Sequence, residues 1–255
     1  MLYVEKPVNP PTGIDKDIDE ATRKFIDGAA EHKENVRLYD RKASDKLNQD
    51  WFQKSQKILL YLYNDKCAFC ERMFSNEAEN TKVTVEHFRP KNKMLYYWLA
   101  VEWTNLLPTC KGCNGFKEDK FPLSDEVRKI KTPFIPDNQL DESLFDAKIL
   151  NQLENPLLLN PEIDNPHEFL YFDENAELKA VNDNPRALET INLLKLNDAT
   201  KRENLVQKRG KVLDDIRKDL EFQTKKIYEA EQQGKPIDAS LLEVSSLRQG
   251  VTTLK

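Results

Sequence analysis

Four cysteines stand in two matched pairs, Cys67-Ala68-Phe69-Cys70 and Cys110-Lys111-Gly112-Cys113, separated by 39 residues. A Cys-x-x-Cys step puts two thiolates on one tight turn. That is half of a tetrahedral zinc shell with Zn–S bonds of about 2.3 Å, so two pairs and no spare cysteine predict a closed structural Zn²⁺ site. Two disulfides or four buried thiols are the other arrangements open to them. The opening residues, Met1 to Gly13, lack the apolar core of a secretion signal, which disfavours disulfides and sets cytoplasm as the expected location. The interval between the pairs is longer than the roughly 15 to 20 residues of a simple two-knuckle site. Its contents decide the function.

Inside the interval lies Val85-Glu86-His87-Phe88-Arg89-Pro90-Lys91, and Asn105-Leu106 leads into the second pair, which is followed by Asn114 and Lys117. Hydrolysis of a phosphodiester needs a deprotonated water in line with the scissile bond and positive charge on the transition state. Histidine, with an unperturbed pKa near 6.5, is mostly neutral at pH 7 and can take the proton. A hard divalent cation, Mg²⁺ or Mn²⁺, keeps several waters and needs as few protein oxygens as one carboxylate and one amide. Glu86, His87 and Asn114 are of those types.

The order of acid and His, a nearby Pro, Asn-Leu, and then Cys-x-x-Cys-Asn-x-x-Lys resembles the HNH (ββα-metal) endonuclease family over about a fifth of the chain. The resemblance implies that His87 is the general base and that Glu86 and Asn114 are ligands of the catalytic metal. It further implies that Asn105 fixes the loop between two strands and orients the histidine, and that Lys117 contacts phosphate, with Arg89 and Lys91 as weaker candidates. Glu86 and His87 are neighbours in a strand, whose side chains alternate in direction, so an irregularity is expected there.

Further stretches resemble the HNH subunit of Septu and related retron anti-phage systems: Lys66 to Glu71, Leu159-Asn160-Pro161, Phe172-Asp173-Glu174 and Thr190 to Asn197. That implies a nuclease acting on DNA, or on RNA such as tRNA, beside an ATPase subunit of SMC-like or ABC type. The competing class is a non-enzymatic zinc-ribbon module that binds nucleic acid or a partner. His32 and His167 read as ordinary surface or core histidines. The run Tyr96-Tyr97-Trp98 and Trp103 reads as packing beneath the knuckles rather than as a base-stacking platform.

The elements that must position these residues divide the 255-residue chain into four regions. Residues 1–64 open with Pro7, Pro10 and Pro11, which suit an extended lead-in. Helical spacing follows at Ile18, Ala21, Phe25, Ile26 and Ala29, and again at Trp51, Phe52, Ile58, Leu59 and Leu62. Residues 65–123 form the expected HNH core, with short strands at 82–86 and 105–109. Residues 124–183 read as a loop-rich connector with a hairpin around Glu174-Asn175-Ala176. Residues 184–255 read as helical, with a long helix from about Asp198 to Gln233 whose seam, Leu205, Val212, Leu213, Ile216, Leu220 and Ile227, is expected to pack. The predicted class is α+β, mostly α.

The net charge of −5 alone speaks against a nucleic-acid binder. Between Lys82 and Lys120, however, seven basic residues face four acidic ones, a local +3 on a body of −8. A basic patch of that kind can still meet a phosphate backbone. No apolar run approaches the roughly 18 residues of a membrane span, so no membrane partner is expected.

Overall fold

A computed structural model describes residues 1, 3–7, 9, 47–91, 95–135 and 139–233. The expected helix through Ile18 and Ala29 lies outside the described residues, as do Pro10, Pro11, His32 and Lys93. The chain forms two compact units, residues 1–172 with 178–197, and residues 173–177 with those from 198 onwards.

The first unit carries every candidate site residue. Helix α1 (Leu47–Leu62) buries Leu59 against Val101, Trp103 and Leu106, with Ile58, Leu62 and Val85 at the margin of that cluster. Asn64 and Asp65 then take positive φ, 50° and 56°, a conformation that short polar side chains tolerate, and the chain turns into the first cysteine pair.

Strands β1 (Val83–His87) and β2 (Leu106–Cys110) pair antiparallel, from Val83 opposite Cys110 to His87 opposite Leu106. The β-branched run Val83-Thr84-Val85 favours the extended backbone. The Thr84 and Thr109 hydroxyls meet across the pair at 3.0 Å. Helix α2 (Lys111–Lys117) follows β2 directly and packs on both strands. The strands thus lie one residue later than the sequence pattern placed them. The irregularity expected at Glu86–His87 is not found: the register is regular through His87, which is the last residue of β1.

The connector contains a helix the sequence reading did not assign, α3 (Ala147–Glu154). Asp146 caps it by accepting the Lys148 and Ile149 N–H groups. Strands β3 (Leu170–Phe172) and β4 (Leu178–Ala180) form the expected hairpin. Ala176 supplies the positive φ, 60°, that glycine usually supplies in such a turn. Helix α4 (Pro185–Leu193) starts with Asn184 as cap and Pro185 in the first turn.

In the second unit, α5 (Glu203–Gln232) is the expected long helix. Among the described residues its seam is only partly covered. Leu205 is buried, but Val212 and Ile216 are 58% and 59% exposed, and Leu220 is also exposed. The spacing foretold the helix but not a partner for its face. Among the described residues the architecture is mixed α/β, with five helices and two small two-stranded sheets. No described helix is long and apolar enough to cross a membrane.

Candidate active site

Cys67, Cys70, Cys110 and Cys113 are all buried and unoxidised, and their four sulfurs lie within 4.8 Å of one another. The Cys70 and Cys110 sulfurs are 3.7 Å apart. Thiolates about 2.3 Å from a shared tetrahedral ion stand about 3.8 Å from each other, so this spacing fits such a metal and not a disulfide. Backbone N–H groups also aim inward: Cys110 donates to the Cys67 sulfur at 3.3 Å and Cys113 to the Cys110 sulfur at 3.4 Å. The four-cysteine group can hold a metal such as zinc.

The cluster also stitches elements together. Cys67 and Cys70 follow α1, while Cys110 ends β2 and Cys113 lies in α2. Ala68 N–H donates to the Pro108 carbonyl at 2.8 Å, which docks the first knuckle on β2.

Thr84 and Glu86 alternate onto the face of β1 that meets α2. Asn114 Nδ2 donates to Thr84 Oγ1 at 3.1 Å, and Lys117 Nζ donates to Glu86 Oε1 at 2.7 Å and to the His87 carbonyl at 2.8 Å. Burial pushes the Glu86 carboxyl up and the Lys117 ammonium down, while each opposes the shift of the other. One carboxylate and one amide thus share a face. The Asn114 hydrogen bond uses its nitrogen and leaves its oxygen as the potential metal donor.

His87 sits on the other face of the strand end. Its Nε2 lies 2.7 Å from the Ala100 carbonyl oxygen. A carbonyl only accepts, so Nε2 carries the proton and the ring's lone pair is on Nδ1. Burial pushes the His87 pKa down to about 3, with the Lys91 charge adding to it. The ring is neutral at physiological pH.

Asn105 is buried and spans the excursion between the strands. Its Oδ1 accepts Arg89 N–H at 2.8 Å, and its Nδ2 donates to the Arg89 and Leu99 carbonyls at 3.0 and 3.2 Å. Leu99 immediately precedes Ala100, so the amide braces the peptide that holds His87.

Two expected phosphate contacts are corrected by burial. Arg89 is 1% exposed and pairs with Glu154 through Nε at 2.8 Å, and Lys117 is fully buried on Glu86. Neither side chain reaches solvent, because each neutralises a carboxylate inside the fold. Lys91 is half-buried. The basic patch is correspondingly thinner, and its exposed described members are ion-paired, Lys82 and Lys111 with Glu79 and Lys120 with Glu118. Tyr96, Trp98 and Trp103 are buried, as packing residues should be.

Sequence reasoning missed several supporting groups. Lys6 is buried and donates to the Trp103 and Leu106 carbonyls, both at 2.7 Å, and pairs with Glu162 at 2.8 Å. Glu162 also accepts the Tyr63 hydroxyl at 2.8 Å. No periodic or motif signal marks Lys6, Glu154 or Glu162. Ala100 contributes only a carbonyl, which no sequence pattern reports.

The first unit thus defines a class: a strand–strand–helix core around a buried four-cysteine cluster able to hold a metal, with an acid–histidine pair at the strand end. Its chain is homologous to Septu protein PtuB. It is 30% identical over 173 residues to Septu protein PtuB of Bacillus mycoides (strain KBAB4), covering 63% of this chain and 51% of that protein. It is 40% identical over 81 residues to Septu protein PtuB of Bacillus thuringiensis, covering 28% and 30% respectively. It is 27% identical over 133 residues to Septu protein PtuA of Bacillus mycoides (strain KBAB4), covering 48% of this chain and 16% of that protein. The chain thus spans about half, or less, of the relatives it matches. No family model and no solved structure matches it.

Proposed function

We propose that this chain is a metal-dependent HNH endonuclease that hydrolyses phosphodiester bonds, DNA by preference, as the effector of a Septu anti-phage defence system beside an ATPase partner. One observation carries the nuclease reading: His87 is held by the Ala100 carbonyl as a neutral Nδ1 base, at the end of a strand whose preceding residue, Glu86, faces Asn114's helix. The defence reading is supported by the relatives, two named PtuB and one PtuA.

The four cysteines would hold Zn²⁺ and fix the start of α2, and with it Asn114. Glu86 and the Asn114 oxygen fit a hard cation that keeps most of its waters, Mg²⁺ or Mn²⁺. When bound, that ion supplies positive charge to the scissile phosphate and the leaving oxygen. His87 Nδ1 takes the proton of the attacking water. The Ala100 carbonyl, still accepting from Nε2–H, stabilises the imidazolium that results. Asn105 keeps that carbonyl in place.

A second reading has one observation in its favour. Lys117 already neutralises Glu86, as it would in a catalytically inactive zinc-ribbon binding module. Plasmid nicking and degradation of total RNA with Mg²⁺ or Mn²⁺, with and without the ATPase partner, separate the two. The nuclease reading expects cleavage by wild type and its loss in His87→Ala. Equal activity in both proteins removes the mechanism, and tight nucleic-acid binding without any cleavage favours the binding module.

A further inference from the structure

Glu154 closes α3, lies 65 residues beyond Arg89, and is fully buried. Its Oε2 accepts Arg89 Nε at 2.8 Å, and its Oε1 accepts the Tyr96 hydroxyl at 2.6 Å and the Ile130 N–H at 2.9 Å. Arg89 places a second donor on Asn151 Oδ1, on the same helix, at 2.8 Å. Its guanidinium also stands 5.2 Å from the centre of the Phe121 ring. A carboxylate withdrawn from water is tolerated only when its oxygens are paired, and these are.

The two residues Glu154 grips are at informative places. Arg89 lies just beyond His87. Tyr96 takes a φ of 49° and opens the 3-10 turn Tyr97–Leu99, after which comes Ala100. One carboxylate therefore ties Arg89, two residues after His87, to Tyr96, four residues before the Ala100 carbonyl that meets His87 Nε2. Asn105 ties Arg89 to Leu99, so the excursion is closed twice. A base whose lone pair is misdirected by a fraction of an ångström loses much of its rate, which gives such bracing a purpose.

We propose that Glu154 is a positioning residue for His87: through Arg89 and Tyr96 it fixes the Ala100 carbonyl and so holds the histidine as the Nε2–H tautomer, with Nδ1 as the base. This rests on the nuclease reading for its purpose, though not for its geometry.

Histidine-selective ¹⁵N labelling of the full chain tests it. The chain has three histidines, and the His87 signals are those lost in His87→Ala. Wild type is expected to show His87 as the Nε2–H tautomer with a slowly exchanging proton. Glu154→Gln keeps the volume but removes the charge facing Arg89. That proton is then expected to exchange at least about tenfold faster and a tautomer mixture to appear. Metal-dependent cleavage should lose on the order of tenfold to hundredfold in kcat at unchanged KM and zinc content. Tyr96→Phe removes one hydrogen bond and no charge, is expected to shift the same signal less, and serves if Glu154→Gln does not fold. A folded variant of either kind whose His87 signals match wild type overturns the proposal. The ring signature requires no turnover. Absent cleavage with a responsive ring removes the nuclease reading and leaves the positioning, whereas His87-dependent cleavage with an indifferent ring does the reverse.

Discussion

His87 derives its chemical character from a single backbone oxygen. With Nε2 committed to the Ala100 carbonyl and the ring buried, the neutral form dominates and the basic nitrogen is the one facing away from that carbonyl. His87→Ala should lower the cleavage rate by about 10²- to 10⁴-fold without altering zinc content, measured by single-turnover nicking and metal analysis. The same burial makes a prediction about pH. Because the folded pKa, about 3, lies below the unfolded value near 6.5, the stability His87 contributes is complete above about pH 6.5 and falls as pH drops towards 3. Urea midpoints at pH 7 and pH 5 should fall further for wild type than for His87→Gln; equal falls would contradict a buried neutral ring. Asn105→Ala removes three buried hydrogen bonds, and each orphaned partner costs about 1–3 kcal/mol, so a clear drop in urea midpoint is expected.

At the scale of elements, two short strands and a seven-residue helix are too little structure to hold their own geometry. The four-cysteine centre compensates, since it joins the end of α1, the end of β2 and the start of α2. Structural zinc is worth on the order of 10 kcal/mol in small zinc domains, so stripping the metal with a strong chelator, or Cys113→Ser, should melt the strand–strand–helix core. Circular dichroism with metal analysis reads this: one zinc per chain before treatment, and a parallel loss of zinc and structure after it. Retention of the folded signal without metal would show that the thiols pack as a purely apolar cluster. Helix α5 tests packing in the opposite sense. Its seam reads as buried in the sequence, but Ile216 is 59% exposed. Ile216→Lys should therefore change stability by less than about 0.5 kcal/mol in the isolated chain, as judged by Tm.

At the scale of the whole first unit, distant segments close on the site from outside the motif. Lys6 reaches the carbonyls on either side of the Thr104-Asn105 step and is itself held by Glu162. The pair is almost fully buried, with side chains 2% and 7% exposed. Breaking a buried pair on one side leaves an uncompensated charge, so Lys6→Met should cost about 3–5 kcal/mol, while Lys6→Met with Glu162→Leu should recover much of it. Thermal melts of both variants decide the matter; equal losses in the single and double variants would mean that packing, not charge, governs this contact. Arg89 with Glu154 is the companion brace on the far side of the excursion.

The sequence by itself determined what has a period or a spacing: two Cys-x-x-Cys pairs, the acid–histidine pair, Asn105 and Asn114, the helix ending at Leu62, the hairpin and the long α5. Each of those is fixed by local chemistry, so each was legible. Tertiary structure alone decided which charges are inside. Lys117 and Arg89 read as surface cations because nothing in their local sequence says that Glu86 and Glu154 meet them, and Lys6, Glu154 and Glu162 carry no pattern at all. Helix α3 was hidden by its brevity among prolines, and the exposure of the α5 seam by the fact that spacing defines a face without naming what covers it. Ion pairs between distant segments depend on three-dimensional proximity, and a backbone carbonyl such as that of Ala100 is common to every residue, so neither is marked in the chain.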